Sequence, residues 1–142
     1  MGFDITAYNT DKEIKTKIDE YEDEVYDYDN LEEVSYHRAY MGGFRMMREQ
    51  GYDWFELIDA YDCYGGVSGN GIAKVIFIEK LKNALNVLEN HKPTCLVNNG
   101  FGDEVDLRDE FNDRKPRIRE FMKDCIKWCE KNKTEGILIY FG

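Results

Sequence analysis

The residues best placed to do chemistry are Asp62-Cys63-Tyr64 and the glycine-rich loop that follows, Gly65-Gly66-Val67-Ser68-Gly69-Asn70-Gly71. Behind the loop, Ile72, Val75, Ile76, Ile78, Leu81, Ala84, Leu85 and Leu88 recur at spacings of three and four, which predicts a long helix over about 71–90. Free N–H groups and the helix dipole at such a start attract phosphate or carboxylate. The loop is therefore a candidate pocket for a nucleotide-like small ligand, with Tyr61, Asp62, Tyr64, Ser68, Gly69, Asn70, Gly71 and Lys74 around it. Known phosphate templates do not fit. Gly66 and Gly71 have the separation of a P-loop, but Ile72 and Ala73 stand where Lys and Ser/Thr belong, and Lys74 replaces the third glycine of a dinucleotide fingerprint. Ser68 is not in a nucleophile elbow, because Asn70 takes the closing glycine position. A structural loop is favoured over an anion site.

Other catalytic constellations are sparse. His37 and His91 are the two groups that titrate near neutrality, and they lie in different segments. Cys63 would gain reactivity from a nearby helix terminus, while Asp62 beside it works against a low thiol pKa. Asp27-Tyr28-Asp29 lacks the glycine turn and closing glutamate of a calcium loop. Of the four cysteines, Cys63, Cys95, Cys125 and Cys129, the last two alone have close spacing, so buried reduced thiols are favoured over a zinc site. No metal and no cofactor is expected, and an enzyme is the minority reading.

Charge is the stronger signal. The net charge is −10, with 17 Asp/Glu against 6 Lys/Arg in residues 1–70 and 12 against 13 in residues 71–142. Between Asp19 and Glu33 nine of fifteen residues are acidic and none is basic. Glu20, Glu22, Asp23, Glu24, Asp27, Asp29, Glu32 and Glu33 are interleaved with Tyr26 and Tyr28. One reading is a solvated helix face and loop; the sharper one is an ordered surface that offers spaced carboxylates to a cationic groove, since a purely solvating segment seldom carries so many rings. A field of this sign repels nucleic acid, disfavours anionic membrane and attracts basic partners.

The elements that must position these groups read as follows. A chain of 142 residues with 42 % hydrophobic composition supports one domain with a real core. Gly2–Tyr8 and Glu33–Tyr40 have strand alternation, the latter through Val34, Tyr36 and Arg38. Thr10 caps a short helix over Asp11-Lys12-Glu13, continued by Ile14, Ile18 and Tyr21. Phe44, Met46, Met47 and Arg48 form a helix stopped at Gly51, and Asp53 caps a further turn holding Trp54, Phe55, Leu57 and Ile58. Asn98–Gly102 reads as a turn and Asp103–Asn112 as a short acidic helix. Pro116 suits the first turn of a last long helix over about 116–131, with Asp113 near its cap. Gly136–Phe141 is a strand apolar on both sides, which calls for an interior place in a sheet. The fold class is α+β: the N- and C-terminal strands adjacent, Val34–Tyr40 on an edge, and two long helices packed on one face.

Several of these segments, taken together, have a counterpart. Met1-Gly2-Phe3-Asp4-Ile5-Thr6-Ala7-Tyr8 resembles the opening, Met-Gly-Leu-Asp-Ile-Thr-Ala-Tyr, of a group of small phage and prophage proteins of no assigned activity. Arg38-Ala39-Tyr40-Met41-Gly42-Gly43-Phe44, Trp54 with Leu57-Ile58, and Asp62-Cys63-Tyr64-Gly65 leading to Ala73 and Leu81 look like further elements of that group, in the same order. The resemblance covers most of the chain, carries no catalytic residues and implies a phage-type protein in the host cytoplasm. The acidic run Asp19–Glu33 is richer in carboxylates than the group's corresponding region, and Asp103–Asp113 is a second acidic patch without a clear counterpart there.

The expectation is an acidic binding protein that occupies a basic, nucleic-acid-binding surface of a host protein, as anti-defence inhibitors that mimic DNA do. The alternative is the small-ligand binder at Gly65–Gly71. No continuous apolar run approaches the ~20 residues of a membrane span, and the first residues lack signal-peptide character, so a soluble cytoplasmic protein is expected. No feature sets an oligomeric state.

Overall fold

The computed structural model describes residues 2–40, 43–66, 68–92, 97–98, 104–105 and 108–142. The side chains of residues 40, 97–98, 104–105 and 108–110 are outside that description, as are Cys95 and most of the turn expected at 98–102.

The central sheet has four antiparallel strands, β1 (Gly2–Tyr8), β4 (Glu33–Tyr40), β5 (Ile72–Phe77) and β8 (Gly136–Phe141), in the order β4-β1-β8-β5. The terminal strands are neighbours, with Ile5 opposite Phe141 and Tyr8 opposite Leu138. Glu33–Tyr40 is an edge strand, and the fold is α+β as the pattern implied. The remaining strands are two short pairs: β2 (Thr16–Ile18) with β3 (Glu24–Tyr26), and β6 (Val97–Asn98) with β7 (Glu104–Val105). The helices are α1 (Gly43–Glu49), α2 (Trp54–Leu57), α3 (Ile78–Asn90) and α4 (Arg108–Asn132).

One face of the sheet carries Phe3, Ile5 and Ala7 of β1, Ala39 of β4 and Ile137, Ile139 and Phe141 of β8, all buried. The helices cover this face. Leu81, Ala84 and Leu88 of α3 and Ile118, Phe121, Met122, Cys125 and Cys129 of α4 join the same core cluster. Its aromatic centre is Phe44, Trp54, Phe55 and Phe121: Phe44 and Trp54 stack at 5.4 Å, and the Trp54 indole N–H donates to Met122 Sδ at 3.3 Å.

Four expectations need correction. Residues 72–77 are a strand, so the helix starts at Ile78. Ile72, Val75 and Ile76 satisfy a helical spacing, but they are β-branched and pair along β8 from Ile72 opposite Phe141 to Phe77 opposite Gly136. The Ile78 N–H that opens α3 bonds the Glu135 carbonyl at 2.7 Å. At the other end, α4 begins at Arg108 and runs through Pro116, absorbing the second half of the expected acidic helix. Pro116 has no N–H to give the Asn112 carbonyl, yet the ring is on an exposed position and the flanking core contacts of Phe111 and Ile118 hold the helix continuous. Third, no helix follows Thr10. The Thr10 hydroxyl does accept the Lys12 N–H at 3.2 Å, but the turn leads into β2. Fourth, β4 turns Ser35 and His37 inward and leaves Tyr36 47 % exposed. Ser35 Oγ donates to Asp124 on α4 at 2.8 Å, which satisfies the inward hydroxyl.

The stop expected at Gly51 and the cap expected at Asp53 both hold. Gly51 has φ +94°, and the Asp53 carboxylate accepts the Glu56 N–H at the start of α2.

Candidate functional site

The acidic run folds as a β-hairpin and a return turn laid over the sheet face away from the helices. Asp19 closes the hairpin: its Oδ1 accepts the N–H groups of Tyr21 and Asp23, each at 2.9 Å, and its own N–H bonds the Asp23 carbonyl. Glu22 sits at φ 63°, the left-handed position of this turn. Beyond β3, the Asp27 carboxylate accepts the Asp29 N–H at 3.0 Å, and Asn9 and Glu32 exchange two hydrogen bonds that tie the return to the end of β1. Carboxylates here do local backbone work, which is why a run so acidic has a defined path.

Tyrosines fasten the hairpin to the sheet. Tyr28 stacks on Tyr8 at 4.8 Å, and Tyr26 and Tyr28 each meet Tyr140 edge-on at 6.3 and 6.0 Å. Burial raises the Tyr8 and Tyr28 pKa values, so both phenols are neutral near pH 7.

The predicted partner-binding residues therefore separate. Glu20, Glu22, Asp23, Glu24, Asp29, Glu32 and Glu33 are exposed. Asp27 and Asp29 are within 3.5 and 3.2 Å of Lys17 Nζ. The Asp29 backbone N–H, then the Lys17 charge, hold the Asp27 carboxyl below its ordinary pKa. Tyr26 and Tyr28 are half-buried and turned toward the sheet, so they anchor the surface rather than present it. What pattern reading missed is the apolar pair at the hairpin tip, Ile18 at 67 % and Tyr21 at 76 % exposure, and the anchors Tyr8 and Tyr140. The turn chemistry of Asp19 was the one local signal that could have found the hairpin.

The glycine loop is occupied by its own contacts. Gly65 N–H bonds Ser68 O, Gly69 N–H bonds Gly142 O, and Gly71 N–H bonds Phe141 O at 2.8 Å. Asn70 Nδ2 donates to Asp62 O at 2.9 Å, and Lys74 Nζ donates to Asp59 O and pairs with Asp62 Oδ1 at 3.1 Å. A Cβ on Gly69 would lie 2.5 Å from the Phe141 backbone, so glycine is required for the loop to close on the C-terminal strand. Tyr64 stacks on Phe3 and lies under the Arg48 guanidinium, while Tyr61 is exposed. The loop leads into a strand, so the helix-dipole argument for an anion there lapses.

Cys63 is fully buried and is not activated. Burial, then the Asp62 charge, pushes its thiol up to about 11. In the native chain Cys63 is expected to react with a thiol reagent about 100-fold more slowly at neutral pH than in unfolded chain, from the thiolate fraction alone. Peptide mass spectrometry of timed alkylation checks this; equal rates would contradict the burial. Among the described residues no group of three or more His, Cys, Asp and Glu is placed to hold a metal ion. No described helix is long and apolar enough to cross a membrane. No family model, curated protein or solved structure matches this chain.

Proposed function

We propose that this chain is a phage-type binding protein whose acidic hairpin occupies a basic, nucleic-acid-binding surface of a host protein. The observation that supports the reading is the combination at the hairpin tip: Glu20, Glu22 and Asp23 displayed around the exposed side chains of Ile18 and Tyr21 on a hairpin fastened by tyrosines. Apolar and aromatic anchors ringed by charge are what a protein interface uses for affinity and register. A hairpin already ordered also loses little conformational freedom on docking. The carboxylates supply long-range attraction to a cationic groove and release its bound anions, so association is fast at low salt and weakens as salt rises. The opening and the Arg38–Phe44 element, which resemble those of phage and prophage proteins, fit a host cell as the setting.

The small-ligand reading has less support, because the N–H groups of Gly65, Gly69, Asn70 and Gly71 and the Lys74 ammonium already have partners.

Affinity capture from host lysate tests the proposal. The parent chain is expected to retain a basic protein at low salt and release it at high salt. The triple variant Glu20→Gln, Glu22→Gln, Asp23→Asn, whose side chains make no hydrogen bond or ion pair among the described residues, is expected to retain at least roughly tenfold less, at ~0.5 kcal/mol or more per lost charge contact. Equal capture by parent and variant would reject the docking role of the hairpin.

A further inference from the structure

Between the hairpin and the outer face of the sheet lies a cleft of about 530 Å³, walled by Tyr8, Tyr26, Tyr28 and Tyr140 and edged by Thr16 and Glu24. Among the described residues no Lys or Arg lines it. Lys17 falls between Thr16 and Ile18 on β2, and a strand alternates its side chains, so its charge is on the hairpin's other side, beside Asp27 and Asp29.

Two features of the cleft ask for the same kind of group. Tyrosine faces are electron-rich and attract a cation placed over them. The Glu24 carboxylate accepts the Thr16 hydroxyl at 2.6 Å through Oε1, while Oε2 has no hydrogen-bond partner among the described residues.

We infer that the tyrosine cleft is a receptor for a guanidinium group, in which a partner arginine lies against the rings and pairs with the Glu24 carboxylate. The inference rests on the proposed docking of the hairpin against a basic surface and names what that surface inserts. Guanidinium suits the site better than ammonium does. It is planar, so it stacks; it carries five N–H donors in a fixed fork, so it can bond the Glu24 carboxylate while its plane lies against a ring; and it is the more weakly hydrated cation, so entry to an aromatic cleft costs less.

The test titrates the full chain with ethylguanidinium, n-butylammonium and neutral ethylurea, following the tyrosine ring resonances by NMR. Ethylguanidinium is expected to give a saturable shift on Tyr26, Tyr28 and Tyr140, with n-butylammonium weaker and ethylurea without effect. Glu24→Gln removes the charge and Tyr26→Leu keeps apolar bulk while removing the ring; each is expected to weaken ethylguanidinium roughly fivefold or more. The amide spectrum of each variant establishes that the hairpin is still folded. Non-saturable shifts, ethylurea binding as well as ethylguanidinium, n-butylammonium binding as tightly, or two folded variants binding like the parent would each overturn the assignment. The probe needs no partner protein. A chain that captures its salt-sensitive partner yet ignores ethylguanidinium refutes the cleft alone, whereas failure of the lysate capture with ethylguanidinium still bound refutes the docking reading.

Discussion

Trp54→Ala is expected to cost about 3–5 kcal/mol of stability, the range for truncating a large buried aromatic. Trp54 is 1 % exposed and is the largest fully buried side chain in the described core. Its ring stacks on Phe44 at an interplanar angle of 9° and meets Phe55 and Phe121 edge-on, so α1, α2 and α4 all lose contacts with it. The indole N–H also releases Met122 Sδ. Because a domain of this kind has only about 5–15 kcal/mol in total, the variant should unfold at a much lower urea concentration, with an unchanged slope. Trp54→Phe keeps most of the apolar volume and should cost clearly less. A shift for alanine under about 1 kcal/mol would mean that the aromatic cluster is not packed as described.

Acidification should destabilise the fold through His37. This side chain points inward from β4 against Phe44 and Phe121, and burial, followed by the Arg117 and Arg114 charges on α4, lowers its pKa to about 4. The unfolded chain binds a proton at His37 near pH 6.5, whereas the folded chain does so only near 4. Between those values the unfolded state holds more protons, so stability falls as pH falls, by up to about 3 kcal/mol from this residue. Carboxylates titrate in the same window, so the quantity to measure is the difference in pH dependence between the parent and His37→Gln. The variant should lack most of the loss between pH 6.5 and 4. Parallel curves would show that His37 gains its proton as easily in the fold as outside it.

The parts of the fold legible from sequence are those whose information is local. Phe3, Ile5 and Ala7 alternate and are buried; Gly136–Phe141 is apolar on both sides and interior; Asp53 and Gly51 punctuate helices as their chemistry dictates. Ile72–Phe77 was not legible, because β-branched residues at spacings of three and four fit either period and the neighbouring β8 decides between them. Pro116 misled in the opposite sense: its helix is set by tertiary contacts of Phe111 on one side and Ile118 on the other, which local propensity does not record.

The candidate site was half visible for the same reason. The density of carboxylates from Asp19 to Glu33 is plain in the sequence, whereas the hairpin depends on β2, only three residues long and too short to show a period. That Tyr26 and Tyr28 face inward follows from Tyr8 and Tyr140, which are far away along the chain. The glycine loop drew attention by composition, and its glycines serve close approach to the backbone of Phe141.

The docking of the hairpin is tested most directly by the salt dependence of affinity for the captured partner, measured for the parent and for Glu20→Gln, Glu22→Gln, Asp23→Asn. The parent affinity should fall steeply and linearly on a log–log plot against salt, and the variant line should be both lower and shallower, because fewer ions are exchanged on binding. Coincident lines, or an affinity that does not respond to salt, would contradict the account.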